Sequence, residues 1–121
     1  MKPYRVEFSP ESVKQVEHVA DWWQSNRPAA PTLFRDELAA AVRKLETTPG
    51  VGTDYAPVPS IRRVLMPRCR YHVYYFVDEG AAVVEVRAVW HCSRGHGPPL
   101  PAEPPKPPKP PRMGFPKKQP W

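Results

Sequence analysis

Residues 61–94 read IRRVLMPRCRYHVYYFVDEGAAVVEVRAVWHCSR. Arginines and histidines alternate there with apolar strand formers, and no Asp or Glu occurs between Tyr55 and Val77. Alternation at period two marks strands with one dry and one wet face. Pro67 and Asp78-Glu79-Gly80 are turn signals, so the stretch divides into three strands near 61–66, 69–77 and 82–90. A wet face that is basic and aromatic suits phosphate, RNA or an acidic protein partner.

The last hairpin can be given a register. With Asp78 facing Ala81 across the turn, Cys69 lies opposite Trp90. Cys69, Tyr71, Val73, Tyr75 and Val77 then share a dry face with Ala82, Val84, Val86, Ala88 and Trp90. The wet face carries Arg70, His72, Tyr74 and Phe76 with Glu85, Arg87, Val89 and His91, and Arg63 joins it near His72. A one-residue slip would bury the arginines, which favours this register. It makes Cys69 and Cys92 diagonal neighbours on the dry face. Diagonal pairs sit about 7–8 Å apart, too far for an unstrained disulfide. Two buried thiols are therefore expected.

Upstream, Tyr4 to Phe8 reads as a strand. Ser9-Pro10-Glu11 then starts a helix: Ser9 caps, Pro10 suits the first turn, and Glu11 favours the positive end of the dipole. Val13, Val16, Val19, Ala20 and Trp23 form its apolar stripe, and Asn26-Arg27-Pro28 end it. A second helix starts at Pro31-Thr32, with a stripe of Phe34, Leu38, Ala41, Val42 and Leu45, and stops at Thr48-Pro49-Gly50. The short break implies a helical hairpin. Residues 50–60, rich in Gly and Pro, read as a loop. The order β-α-α-β-β-β predicts an α+β domain, with an antiparallel sheet and the helical hairpin packed on one face.

The chain has 121 residues, enough for one small domain. Eleven of its 19 prolines fall within residues 98–121, so a domain of residues 1–97 is expected to precede a proline-rich, basic, disordered tail. The net charge of +6 is mostly in that tail, which holds five basic residues and Glu103. The PPKPPKPPR repeat resembles ligands of proline-binding domains, although a solubilising extension without a partner fits it better. The N-terminus lacks a signal-peptide pattern, and no apolar run approaches the roughly 20 residues of a membrane span. Two cysteines are too few for a disulfide framework and lack zinc spacing. A cytoplasmic protein without metal, cofactor or membrane partner is expected.

In their order and spacing, YRVEFSPESVKQVEHVADWW (4–23), IRRVLMPRCRYHVYYFVDEG (61–80) and VVEVRAVWHCSRGHGPPL (83–100) resemble the RelE/ParE superfamily of bacterial toxins, from type II toxin–antitoxin pairs. The resemblance spans residues 3–97. Its most specific element is an arginine-bearing strand, an aromatic strand, a turn, and a strand closing in W-H-x-x-R. The resemblance implies a toxin held by a cognate antitoxin. The superfamily divides into ribosome-dependent messenger RNA endoribonucleases on the RelE-like side and DNA gyrase inhibitors, which are not nucleases, on the ParE-like side.

An endoribonuclease would need a base, an acid and a cation for the phosphorane. His72 and His91 are the candidate base and acid, with Arg63 and Arg87 as cations. Several RNA-cutting relatives place a tyrosine just after the last strand, and here no tyrosine follows Tyr75. That departure moves the reading to the ParE-like side: a growth-inhibiting binder, with target contacts at Arg63, Arg70, Arg87, His91 and Arg94. His72 and Arg87 also fit plain solvated positions, with Glu85 as a local partner. Trp22 and Trp23 cannot both face inward, so Trp22 falls at the edge of the stripe, where a structural boundary role fits it. The resemblance, in which antitoxins pack against the helices and sheet, makes it the candidate antitoxin contact. A third reading is a non-toxic binding module kept for its proline-rich tail.

Overall fold

The computed structural model describes residues 3–93, 97 and 98. Five strands and two helices follow the order β1 (Arg5–Phe8), α1 (Pro10–Asn26), α2 (Leu33–Thr47), β2 (Thr53–Asp54), β3 (Arg62–Met66), β4 (Tyr71–Asp78) and β5 (Val83–His91). The strands form one sheet in the order β1-β5-β4-β3-β2. Every pairing is antiparallel except β1 with β5, which is parallel. The fold is the α+β arrangement expected, with a two-residue strand added where the sequence reads as loop.

The helix signals act as the sequence indicates. Ser9 accepts a hydrogen bond from Ser12 N–H at 3.2 Å, satisfying one free donor of the first turn of α1, and Pro10 occupies that turn. Val16, Val19 and Ala20 of α1, and Phe34, Leu38, Ala41 and Leu45 of α2, pack on Val73, Tyr75, Val84 and Val86 of the sheet. The phenol of Tyr75 donates to Pro49 C=O at 2.8 Å and accepts from Gly52 N–H at 2.9 Å, tying the loop before β2 to the sheet centre. A Cβ on Gly52 would stand 2.5 Å from Arg63 C=O, so only glycine fits this approach.

The other face of the sheet is not simply wet. Residues 55–61 fold over it through Tyr55 N–H to Ile61 C=O, Val58 N–H to Tyr55 C=O and Ile61 N–H to Val58 C=O. Tyr55, Val58 and Ile61 bury themselves there against Tyr74 and Ala88, flanked by Phe76 and Trp90. The sheet thus has a helical face and a second face partly covered by this loop, called the open face below.

The register of the last hairpin differs from expectation in two steps. Asp78 faces Val83, not Ala81. The turn is longer because Asp78 Oδ1 accepts from Ala81 N–H at 3.1 Å and Ala82 adopts φ 55°. This displaces the pairing by two residues, which leaves the faces unchanged. Then Tyr75 pairs with Val86 while Tyr74 pairs with Ala88, so Arg87 is an extra residue. A bulge of one residue flips every face beyond it. Ala88 and Trp90 therefore join the open face, and Val89 packs in the helical core. The expected adjacency of the cysteines fails for the same reason. His72 pairs with Trp90, Cys69 lies in the turn before β4, and Cys92 is half-buried, not buried.

Candidate functional site

Two open grooves flank the end of β5, one on each side of the sheet. The open-face groove, about 550 Å³, is lined by Asp54, Tyr55, Arg63, His72, Tyr74, Trp90, His91, Cys92 and Gly97. Arg63 stands opposite Tyr74 in the β3–β4 pairing, and Leu65 stands opposite His72. The Arg63 guanidinium lies 5.6 Å from the Tyr55 ring and donates to the Tyr74 hydroxyl at 3.4 Å. It has no carboxylate partner among the described residues. Burial, then the positive charges of Arg63 and Arg70, push the His72 imidazole below its ordinary range. Its ring sits edge-on to Tyr74, and its Nδ1 is 3.5 Å from Cys92 Sγ.

The helical-side groove, about 610 Å³, lies between the end of α1 and the β3–β4 turn. His18, Trp22, Trp23 and Arg27 form one wall, and Arg68, Arg70, Tyr71 and His91 the other. Trp22 is 43% exposed, whereas Trp23 is half-buried against the core. The Arg27 guanidinium lies 5.1 Å from the Trp22 ring and 5.8 Å from that of Trp23. Glu37 of α2 holds the β3–β4 turn by accepting from Arg68 N–H at 3.0 Å and Cys69 N–H at 2.8 Å. Arg70 closes this turn at φ 67°, a left-handed conformation, so it is not a strand residue alternating with His72.

The residues grouped from sequence are therefore divided. Arg63 and His72 share the open face. His91 stands opposite Tyr71, with ring centroids 4.8 Å apart, and Tyr71 in turn abuts Phe34 of α2. The His91 Nδ1 accepts from Ser93 N–H at 3.0 Å. The bulge thus turns His91 away from His72. Arg87 is on the open face but engaged: its guanidinium meets Glu85 at 2.7 Å, with side-chain exposures of 10% and 13%, and lies 5.2 Å from the Phe76 ring. Arg94, Gly95, His96 and the tail beyond Pro98 lie outside the described residues.

Tyr55, Trp90 and Cys92 belong to the open-face groove; the sequence reading places Tyr55 in a loop and Trp90 and Cys92 on the dry face, and the bulge moves the last two. The spacing of Tyr55, Val58 and Ile61, every third residue, was the available signal for a covering loop. Nothing in the alternation of residues 83–91 marks the bulge.

Comparison with known proteins bears on this geometry. Residues 6–95 match the sequence model of a family described as ParE toxin of type II toxin-antitoxin system, parDE. Among solved structures, the chromosomal ParDE toxin–antitoxin system from P. aeruginosa aligns with a TM-score of 0.61 at 11% identity, covering 73% of this chain and 95% of that one. The intact E. coli RelBE toxin–antitoxin complex aligns at 0.54 and 17% identity, covering 75% and 99%. No curated protein sequence matches the chain. Among the described residues, no helix is long and apolar enough to cross a membrane.

Proposed function

Since the chain belongs to the ParE toxin family of type II toxin–antitoxin systems, we propose that it inhibits an essential target, such as DNA gyrase, by stoichiometric binding. The observation that carries this reading is the bulge at Arg87. It separates His91 from His72, and Arg87 is committed to Glu85. An endoribonuclease would need a base, an acid and a cation converging on one phosphate. Among the described residues, the open face instead offers Arg63, a cation without a carboxylate partner, among Tyr55, Tyr74 and Trp90. Arginine set among aromatic rings is the composition of a binding hot spot. Of the other target contacts expected from sequence, Arg70 lines the helical-side groove instead, and Arg94 is kept as a proposed contact on sequence alone.

The second partner is a cognate antitoxin. The helical-side groove fits an acidic segment with apolar anchors, because Arg27, Arg68 and Arg70 surround the exposed Trp22. The proline-rich extension is read as a separate segment beyond the toxin domain.

The deciding experiment combines two readouts on the same inducible chain. Inhibited supercoiling by purified gyrase with intact cellular RNA supports the proposal. Fragmented messenger RNA, abolished by His91→Ala with Arg87→Ala, would replace it with the ribosome-dependent endoribonuclease reading. Harmless expression without an antitoxin would leave a non-toxic binding module.

A further inference from the structure

The two described cysteines are both free and sit in opposite surroundings. Cys69, within the β3–β4 turn, is 3% exposed. Burial, and then its hydrogen bond with Glu37, push its thiol up to about 12. Cys92 is half-buried at the rim of the open-face groove. Its N–H donates to Arg70 C=O at 2.9 Å, which fixes the backbone, and its Sγ lies 3.5 Å from His72 Nδ1.

The depressed affinity of His72 for a proton keeps its imidazole neutral near neutral pH. With the ring hydrogen on Nε2, Nδ1 is an acceptor for the thiol hydrogen. A thiol and a base within hydrogen-bond reach, beside an open groove, form the arrangement that activates a nucleophile. The groove also carries positive charge. Arg63 lines it without a carboxylate partner among the described residues, whereas the carboxylate of Asp54, which also lines it, is engaged by Arg62 at 3.0 Å. The groups around His72 are Arg63 from β3, Arg70 from the turn, Tyr74 on its own strand and Cys92 just after β5, while His91 lines the groove but turns its ring to Tyr71. Asp54 and Tyr55 lie across the groove.

We propose that Cys92 is a modification site, activated by His72, that exchanges with a small anionic disulfide bound against Arg63. Cys92 Sγ attacks one sulfur of the disulfide, and a new S–S bond forms as the ligand's own S–S bond breaks. The thiol hydrogen passes to His72 Nδ1 and then to the departing sulfur, which leaves as a free thiol. The Cys92 sulfur is oxidised as the departing sulfur is reduced, so the exchange needs no further oxidant.

The test uses the full chain with glutathione disulfide and, in parallel, the neutral 2-hydroxyethyl disulfide. Adducts are followed by intact mass and peptide mapping between about pH 5.5 and 8.5, below and around the ordinary thiol range. The adduct is expected on Cys92 and not on Cys69, and Cys92→Ser should take none. His72→Gln should slow exchange about tenfold or more near neutrality. Its rate should then climb about tenfold per pH unit, as for an unassisted thiol, while the wild-type rate falls only as His72 protonates. Arg63→Gln should erase the preference for the anionic disulfide, read as the ratio of the two rates at the alkaline end of the range, where the accompanying rise in the proton affinity of His72 no longer matters. Preferential labelling of Cys69, no preference between the disulfides, or a wild-type pH profile as steep as that of an unassisted thiol would each overturn the proposal. The last readout needs no variant, so a folding defect in His72→Gln cannot mask it.

Discussion

The helical face and the open face belong to the same strands, yet they are built on different logic. The helical face is a continuous apolar layer: Val6, Phe8, Val73, Tyr75, Val84 and Val86 beneath the stripes of two helices. The open face has a smaller apolar cluster under residues 55–61, and around it lie an ion pair, an arginine held by tyrosines and a thiol–imidazole contact. One face stabilises the fold by area removed from water, and the other holds charged groups that such burial alone would penalise. The boundary between them moves at Arg87, where the extra residue exchanges the faces of the last strand residues.

Truncation on the helical face should have the largest effect. Phe34 is fully buried and stands edge-on to Tyr71 at 5.3 Å. Phe34→Ala should lower stability by about 3–5 kcal/mol through lost transfer energy and the cavity left behind, measured by urea unfolding at constant slope. A loss below about 1 kcal/mol, the scale of a surface change, would mean that this face is not the main core.

On the open face the sharper probe is the Arg87–Glu85 pair. Both side chains are nearly enclosed, so removing one partner weakens the compensation of the other's charge where water cannot replace it. Arg87→Ala or Glu85→Ala should each cost about 3 kcal/mol, while Glu85→Gln with Arg87→Met should recover most of the loss. If Arg87 is structural and not a target contact, that double variant keeps its toxicity. Loss of toxicity in a stable double variant would return Arg87 to the binding surface.

How much of this was legible follows from particular residues. Ser9-Pro10-Glu11 fixes the start of α1 because capping chemistry is local. The valines of β4 and β5 fix the helical face because area and period agree. The bulge is invisible because Ala88 is small enough for either face, and Arg87-Ala88-Val89-Trp90-His91 alternates equally well in both registers. The longer turn was hidden too, since it depends on Asp78 capping Ala81 and on a left-handed Ala82. Gly and Pro around residues 50–60 correctly mark a loop, but they distract from Tyr55, Val58 and Ile61, which make that loop a lid on the open face. Arg63 and His72 were found because they precede the bulge, and the relation of His91 to them was misread because it follows.

The two faces also differ in how they answer pH. His72 binds its proton less readily folded than unfolded, so the unfolded chain takes up more protons just below pH 6.5. Stability is intact above that pH and falls as pH drops through 6.5 toward the lowered folded value. Cys69 behaves oppositely: its folded thiol holds its proton to about 12, while the unfolded thiol loses it near 9.0. Stability is then complete below 9.0 and lost as pH rises toward 12. Each slope can reach at most about 1.4 kcal/mol per pH unit. His72→Gln should flatten only the acid limb and Cys69→Ala only the alkaline limb, read from urea midpoints across pH. A single variant that flattened both would deny that the faces titrate independently.

The smallest effect on the isolated chain should come from Trp22, at the outer edge of the helical side. It is 43% exposed, and its described ring contacts are Trp23 and the Arg27 guanidinium. Trp22→Ala gives up a cation–π contact of about 0.5–1 kcal/mol and little buried area, so thermal unfolding should move only a few degrees. A structural residue would show its whole effect there. A partner contact would show it in binding instead, because an exposed tryptophan beside Arg27, Arg68 and Arg70 becomes fully desolvated only when an acidic segment covers it. Its loss should then weaken the antitoxin by about 2 kcal/mol or more, some thirtyfold in affinity by titration calorimetry. Equal and small effects on folding and on binding would assign Trp22 to the rim of the helical core, and the docking groove would have to be sought on the open face.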